Sequence, residues 1–287
     1  NGVIMKKIYL YISLLLLFVG CENEILNNKS LHNQYINNYT TEEIDLIVSE
    51  MATFHQTYMV GFLDSICPTI DSEDSLSSFN LIMISIQQTM LDYNFQEIDI
   101  PISNYVESNS NIISLPLIND VALFWQNNFD FAFLQNNSEL IQHLDMSEIG
   151  FIADFFRIID LNVLPMIEKS DSFEDFRNSF SSFIQSNLSD CLVFSSKEIY
   201  FYAKLYAEIY LSSIDYFTNF MYEQDKGPRW EKFKGMLKEA WEITRPIVTA
   251  DAVGAVFGAM AGTITGPGIV VTGMTNACIS SAIECIN

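Results

Sequence analysis

The chain has 287 residues, is 49% hydrophobic and 13% aromatic, and carries a formal net charge of −22 at neutral pH. That apolar and aromatic content excludes a disordered chain. So negative a charge excludes nucleic acid as a partner, because phosphate binding takes clustered Lys and Arg. The length suits one large domain or a domain with an appendage.

At the N-terminus, Asn1 to Ile4 precede the first methionine, so Met5 is the expected start. Lys6 and Lys7 form a positive n-region. Ile8 to Val19 follows as an apolar run broken only by Ser13, then Gly20 and Cys21. The run is shorter than the roughly 20 residues needed to span a bilayer, which predicts a signal peptide rather than an anchor helix. Phe18-Val19-Gly20-Cys21 resembles the lipobox of bacterial lipoproteins, departing from its commonest form at Phe18 and Val19. The Asn- and Ile-rich composition is similar to that of Bacteroidetes envelope lipoproteins. The resemblance implies lipid on Cys21 and residence in the cell envelope, most naturally at the outer membrane. One acyl chain anchors only marginally; the diacylglyceryl group of such lipoproteins, often with a third chain such as palmitate, meets the need. Glu22 and Glu24 follow the cysteine, where acidic residues can mark surface export in the lipoproteins it resembles.

Without Cys21, four cysteines remain: Cys67, Cys191, Cys278 and Cys285. An oxidising compartment permits disulfides among them, and the sequence leaves three pairings open. Two helical turns, about 10.5 Å of rise, would separate Cys278 from Cys285, too far for a mutual bridge.

The body predicts helices. Thr40 with Glu43 makes a capping box, and Ile44, Ile47, Val48, Met51, Tyr58 and Phe62 follow at helical spacing. Further helices are expected over 76–93, 120–134, 146–159, 173–185 and 196–222, with 96–118 as an irregular connection. In the 196–222 helix, Lys197, Lys204, Glu208 and Asp215 fall within about 20° of one line, which predicts a single wet stripe on a mostly buried rod. No alternating strand series is present, so the expectation is all-α.

Charge divides the chain. Residues 22–225 hold 31 acidic and 6 basic residues, whereas residues 226–245 hold six basic and three acidic. Trp230 and Trp241 share a helical face, with Lys234 and Lys238 beside it. This is a pattern suited to a lipid interface, though such a face more often covers a core. Asp251 and Glu284 then bracket 32 uncharged residues. Gly254, Gly258, Gly262 and Gly266 recur every fourth position; Pro267-Gly268 signals a turn; Gly273, Ala277, Ser281 and Cys285 repeat the interval. Two small-residue ladders about a turn predict an antiparallel helical hairpin, a glycine zipper. Each glycine costs about 1 kcal/mol relative to alanine, so a closely approaching partner must offset it. That partner is the second arm or another copy of the chain, and contact with a bilayer stands beside both. The basic helix and zipper together are similar to the C-terminal region of uncharacterised Bacteroidetes proteins and, more loosely, of membrane-active bacteriocins.

The organisation read from sequence is therefore 1–20 signal peptide with its upstream residues, 21–39 lipidated polar tether, 40–225 acidic helical domain, 226–245 basic amphipathic helix and 246–287 uncharged hairpin. No cofactor motif or catalytic signature is found. His55 is expected as a satisfied core residue. His143, with Asp145 and Glu148 nearby, lacks the paired histidines of a zinc helix, and Asp71, Glu73 and Asp74 do not complete a calcium loop. The expected function is a non-enzymatic, lipid-anchored envelope protein whose tail serves packing, self-association or membrane contact. A membrane-active toxin and an envelope hydrolase or metal-dependent enzyme are the alternatives.

Overall fold

A computed structural model describes residues 36–67, 75–95, 98, 100–108, 144, 146–194, 196–224, 230–262 and 266–286. Among these residues there is no strand, and the chain is all-α.

The first helix, α1 (Thr41–Gly61), opens on the predicted capping box. The Glu43 backbone N–H donates to the Thr40 hydroxyl, and the Thr40 N–H donates to the Glu43 carboxylate at 2.6 Å. Its Ile44, Val48, Met51, Phe54 and Tyr58 are buried at intervals of three and four. The helix continues into a π-helical segment, Phe62–Ile66. Next come α2 (Ser75–Asp92) and α3 (Ile102–Ser108). The short α3 falls where an irregular connection was expected. Pro101 sits just before its first residue, where a missing N–H costs nothing, and Ile102 and Val106 bury one face a turn apart.

Helix α4 (Met146–Lys169) extends ten residues beyond the predicted 159 and runs through Pro165. Proline removes one hydrogen bond at a cost of about 3 kcal/mol. However, Ile152, Phe156, Ile159, Val163 and Ile167 form one buried stripe that is worth more than that penalty. Likewise α5 (Phe173–Phe194) outruns the predicted 185 because Phe176, Phe180, Ile184 and Leu188 repeat every four residues. Ser172 caps it by accepting from the Asp175 N–H.

At the centre lies α6 (Lys197–Gln224), whose Tyr202, Tyr206 and Tyr210 are all buried. Tyr206 stacks on Phe156 of α4 with centroids 3.6 Å apart. The Tyr202 hydroxyl donates to Glu198 and that of Tyr210 to Asp160, so both buried phenols have acceptors. Burial pushes all three well above the ordinary phenol pKa.

The predicted stripe of α6 is not simply wet. Lys197 donates to the Asn37 and Tyr39 carbonyls, Lys204 pairs with Glu208, and Asp215 accepts from Gln56 of α1. All four of its charges are therefore engaged, Lys197 and Asp215 with the lead-in and body of α1, and Lys204 and Glu208 with each other.

The basic segment and the first arm of the tail are one helix, α7 (Trp230–Ala261), continuous through Pro246; α8 (Gly266–Ile286) is the second arm. The hairpin does not project. Helix α8 packs on α7 on one side and on α1 on another, with α2 and α3 also against it, while α6 covers α7. Residues 248–260 of α7 are buried without interruption, as are Val270, Val271, Met274 and Ala277 of α8.

Candidate functional site

The two arms meet through α7's glycines. A Cβ on Gly258 would collide with the Thr272 carbonyl oxygen, and would also lie 2.8 Å from that carbonyl carbon and 2.9 Å from the Asn276 Cβ. On Gly254 it would meet the Ser280 hydroxyl and lie 2.8 Å from the Asn276 carbonyl oxygen; on Gly262 it would meet the Thr272 hydroxyl and the Gly268 carbonyl oxygen. The face that receives the ladder is therefore Gly268, Thr272, Asn276 and Ser280, one residue before the predicted second ladder. That predicted row does other work. Gly273 admits the Met51 methyl of α1, 2.6 Å from where its Cβ would be, and also borders Ala255 and Ala259 of α7. Ala277 is fully buried, and Ser281 reaches His55 of α1. Gly266 begins α8. Among the described residues, no helix is long and apolar enough to cross a membrane.

His55 is the polar junction of the core. Its Nε2 lies 2.8 Å from the Ser281 hydroxyl of α8, and its Nδ1 lies 3.5 Å from the Ser212 hydroxyl of α6. Ser212 donates to the Ala52 carbonyl, so it is placed to accept from an Nδ1 proton, and Nε2 then accepts from Ser281. Asp251 of α7 stands 3.9 Å from Nε2 and takes the Ser213 hydroxyl at 2.8 Å. Complete burial lowers the His55 pKa to about 3, so the ring is neutral near pH 7. Burial, and Asp251, push the neighbouring Cys278 thiol well up.

Serine, histidine and aspartate in one cluster suggest a relay, but the geometry is wrong for one. Nucleophilic catalysis needs the acid on one ring nitrogen and the serine on the other. Here Ser281, the serine at 2.8 Å, shares Nε2 with Asp251, while Ser212, opposite Asp251, gives its proton to the Ala52 carbonyl rather than to the ring; the group is at most 2% exposed apart from Ser212 at 8%. What the arrangement does is join α1, α6, α7 and α8 through one imidazole.

The predicted lipid-facing residues turn toward the chain itself. The Trp230 ring N–H donates to the Ser170 carbonyl at 2.6 Å, and Lys234 donates to the same oxygen. Lys238 pairs with Glu168 at 2.8 Å, which raises its pKa. Trp241 is 5% exposed. Trp230, Lys234 and Lys238 together supply the end of α4, where unpaired carbonyls and the helix dipole favour donors and cations. One turn further along α7, Arg245 clasps Asp160 of α4 through both Nε and the terminal nitrogen, beside the Tyr210 hydroxyl.

A groove of about 440 Å³ opens between α5 and α6 beside the first turns of α1. Its floor is Phe180, Ile184 and Leu188, all at most 3% exposed. Its sides carry Asp45, Ser181, Gln185, Tyr200, Lys204 and Glu208. The Tyr200 hydroxyl donates to Asp45 Oδ1, and Lys204 to Glu208 Oε1, both at 2.7 Å. Sequence periodicity picks out Lys204 and Glu208 as a stripe but has no signal that brings α1 and α5 beside them.

Cys21, His32, His143, Asp71, Glu73, Asp74 and the 120–134 segment lie outside the described residues. Among the described residues no cluster of His, Cys, Asp and Glu could hold a metal, and Cys67 and Cys278 carry free thiols. No family model, curated protein or solved structure matches the chain.

Proposed function

We propose that the protein is a non-enzymatic envelope lipoprotein, held to a membrane by lipid on Cys21, whose uncharged tail serves as the packing core of its helical body. The observation that carries the tail's role is the fit of Gly254, Gly258 and Gly262 against the backbone and small side chains of α8. Close backbone approach of this kind offsets the helix-propensity cost of glycine, which a solvent-exposed arm could not do. The anchor is assigned from Lys6, Lys7, the apolar run and Phe18-Val19-Gly20-Cys21. The non-enzymatic reading draws on the burial of the His55 junction, where Ser281 shares Nε2 with Asp251 and Ser212 gives its proton to the Ala52 carbonyl.

The anchor is tested by detergent phase partitioning of the full chain and of Cys21→Ser, each expressed in a bacterial host with radiolabelled palmitate. The expected result is label and detergent-phase recovery for the unaltered chain, with both lost in Cys21→Ser. Detergent partitioning that survives Cys21→Ser would transfer the membrane contact to the body or the tail. Self-association is read separately from the molar mass of Cys21→Ser in light scattering, where a monomer assigns the ladder to packing within one chain.

A further inference from the structure

We propose that the groove between α5 and α6 is a binding site for a small, neutral, hydroxyl-rich ligand of the size of a mono- or disaccharide. The volume of about 440 Å³ lies within the range of small-molecule sites. The chemistry of its walls then selects among ligand classes. An acyl chain or an apolar helix face would cover Asp45, Ser181, Gln185, Lys204 and Glu208 of the walls without giving their polar groups partners in return. An anion meets two carboxylates, Asp45 and Glu208, against one ammonium, Lys204, on a body of strongly negative charge. A cation meets the Lys204 ammonium in the same groove, which already pairs with Glu208 and so offsets one of the two carboxylates.

What remains available is a mixed set of donors and acceptors. Asp45 gives Oδ1 to Tyr200 and Glu208 gives Oε1 to Lys204, which leaves each carboxylate a second oxygen and Lys204 two further N–H groups. The exposed Ser181 hydroxyl and Gln185 amide add groups that both give and take. Sugar hydroxyls, which donate and accept at once, match this set, and hydrogen bonds from hydroxyl to carboxylate are the stronger, charge-assisted kind. The internal pairs also hold Lys204, Glu208, Asp45 and Tyr200 in place before a ligand arrives, so less side-chain entropy is lost on binding. This site is independent of the anchor, and its test does not require lipid on Cys21.

The test is saturation-transfer NMR on the full chain with cellobiose, maltose and chitobiose as probes, and with spermidine and dodecylphosphocholine as competitors. The expected result is transfer to at least one disaccharide with a Kd near about 1 mM. Ser181→Trp, which fills the groove from its exposed rim, should weaken that binding at least about tenfold. Gln185→Leu should weaken it less, and both variants should keep the far-UV circular dichroism and Tm of the unaltered chain. Transfer to none of the disaccharides, transfer undiminished in Ser181→Trp, or displacement by spermidine or dodecylphosphocholine at lower concentration than the sugar would each overturn the proposal.

Discussion

Replacing Gly258 with alanine tests the hairpin against a control inside the same helix. In an open helix the change should stabilise by about 1 kcal/mol, because alanine has the better propensity. Gly235 of α7 is such a place: it is exposed, and a Cβ there would meet nothing within 4 Å. At Gly258 the same methyl would meet the Thr272 carbonyl and the Asn276 Cβ, neither of which is the end of a flexible chain. The arms must then part by roughly 1 Å, which forfeits a quarter to a half of the dispersion well at each contact along the crossing. Overpacking of this kind costs about 3 kcal/mol. Less the propensity gain, Gly258→Ala should lose about 2 kcal/mol. Thermal and urea unfolding would read this as a Tm lower by about 5 °C, while Gly235→Ala raises it. A Gly258→Ala chain as stable as Gly235→Ala would refute the claim that α8 backbone lies against this glycine.

Other consequences follow from the core. Since His55 has a folded pKa of about 3 against an ordinary 6.5, the unfolded chain binds a proton that the folded chain does not throughout that window. Its contribution to stability is complete above pH 6.5 and declines on acidification by about 1.4 kcal/mol per pH unit; His55→Gln should flatten this slope in urea titrations run from pH 7 to pH 4, and an unchanged slope would contradict the neutral ring. Arg245→Lys keeps the charge opposite Asp160 but cannot make the two-pronged contact, so the urea midpoint should fall by the equivalent of about 1 kcal/mol. With Cys21, Cys191 and Cys285 changed to serine, a thiol reagent should modify the half-buried Cys67 promptly and the buried Cys278 only as the protein unfolds. Prompt modification of both would mean that α8 is accessible.

Periodicity carries information wherever a helix buries one face. The Thr40–Glu43 box, the buried row of α1 and the four-residue interval of Gly254, Gly258 and Gly262 are all legible because each depends on neighbours along one helix. The partner face of the ladder is not. Gly273, Ala277 and Ser281 look like the complement, being small and correctly spaced, yet Thr272, Asn276 and Ser280 fill that place. Thr272 and Asn276 turn their polar atoms back onto their own helix, on the Gly268 and Thr272 carbonyls, so they too can lie at a close crossing. The ends of α4 and α5 are underestimated as well: Val163 and Ile167 carry the buried row of α4 past 159, and Leu188 carries that of α5 past 185. Neither the groove nor the His55 junction is visible along the sequence, because each gathers residues from three or more helices.

The most direct test of the hairpin as core is amide hydrogen exchange on the full chain, with and without anionic vesicles. Residues 250–260 and 269–282 should exchange slowest of all, at a free energy equal to that of global unfolding, and vesicles should leave their rates unchanged. Fast exchange of these residues in water, or protection that arises only when vesicles are added, would contradict the account and make the hairpin a membrane element.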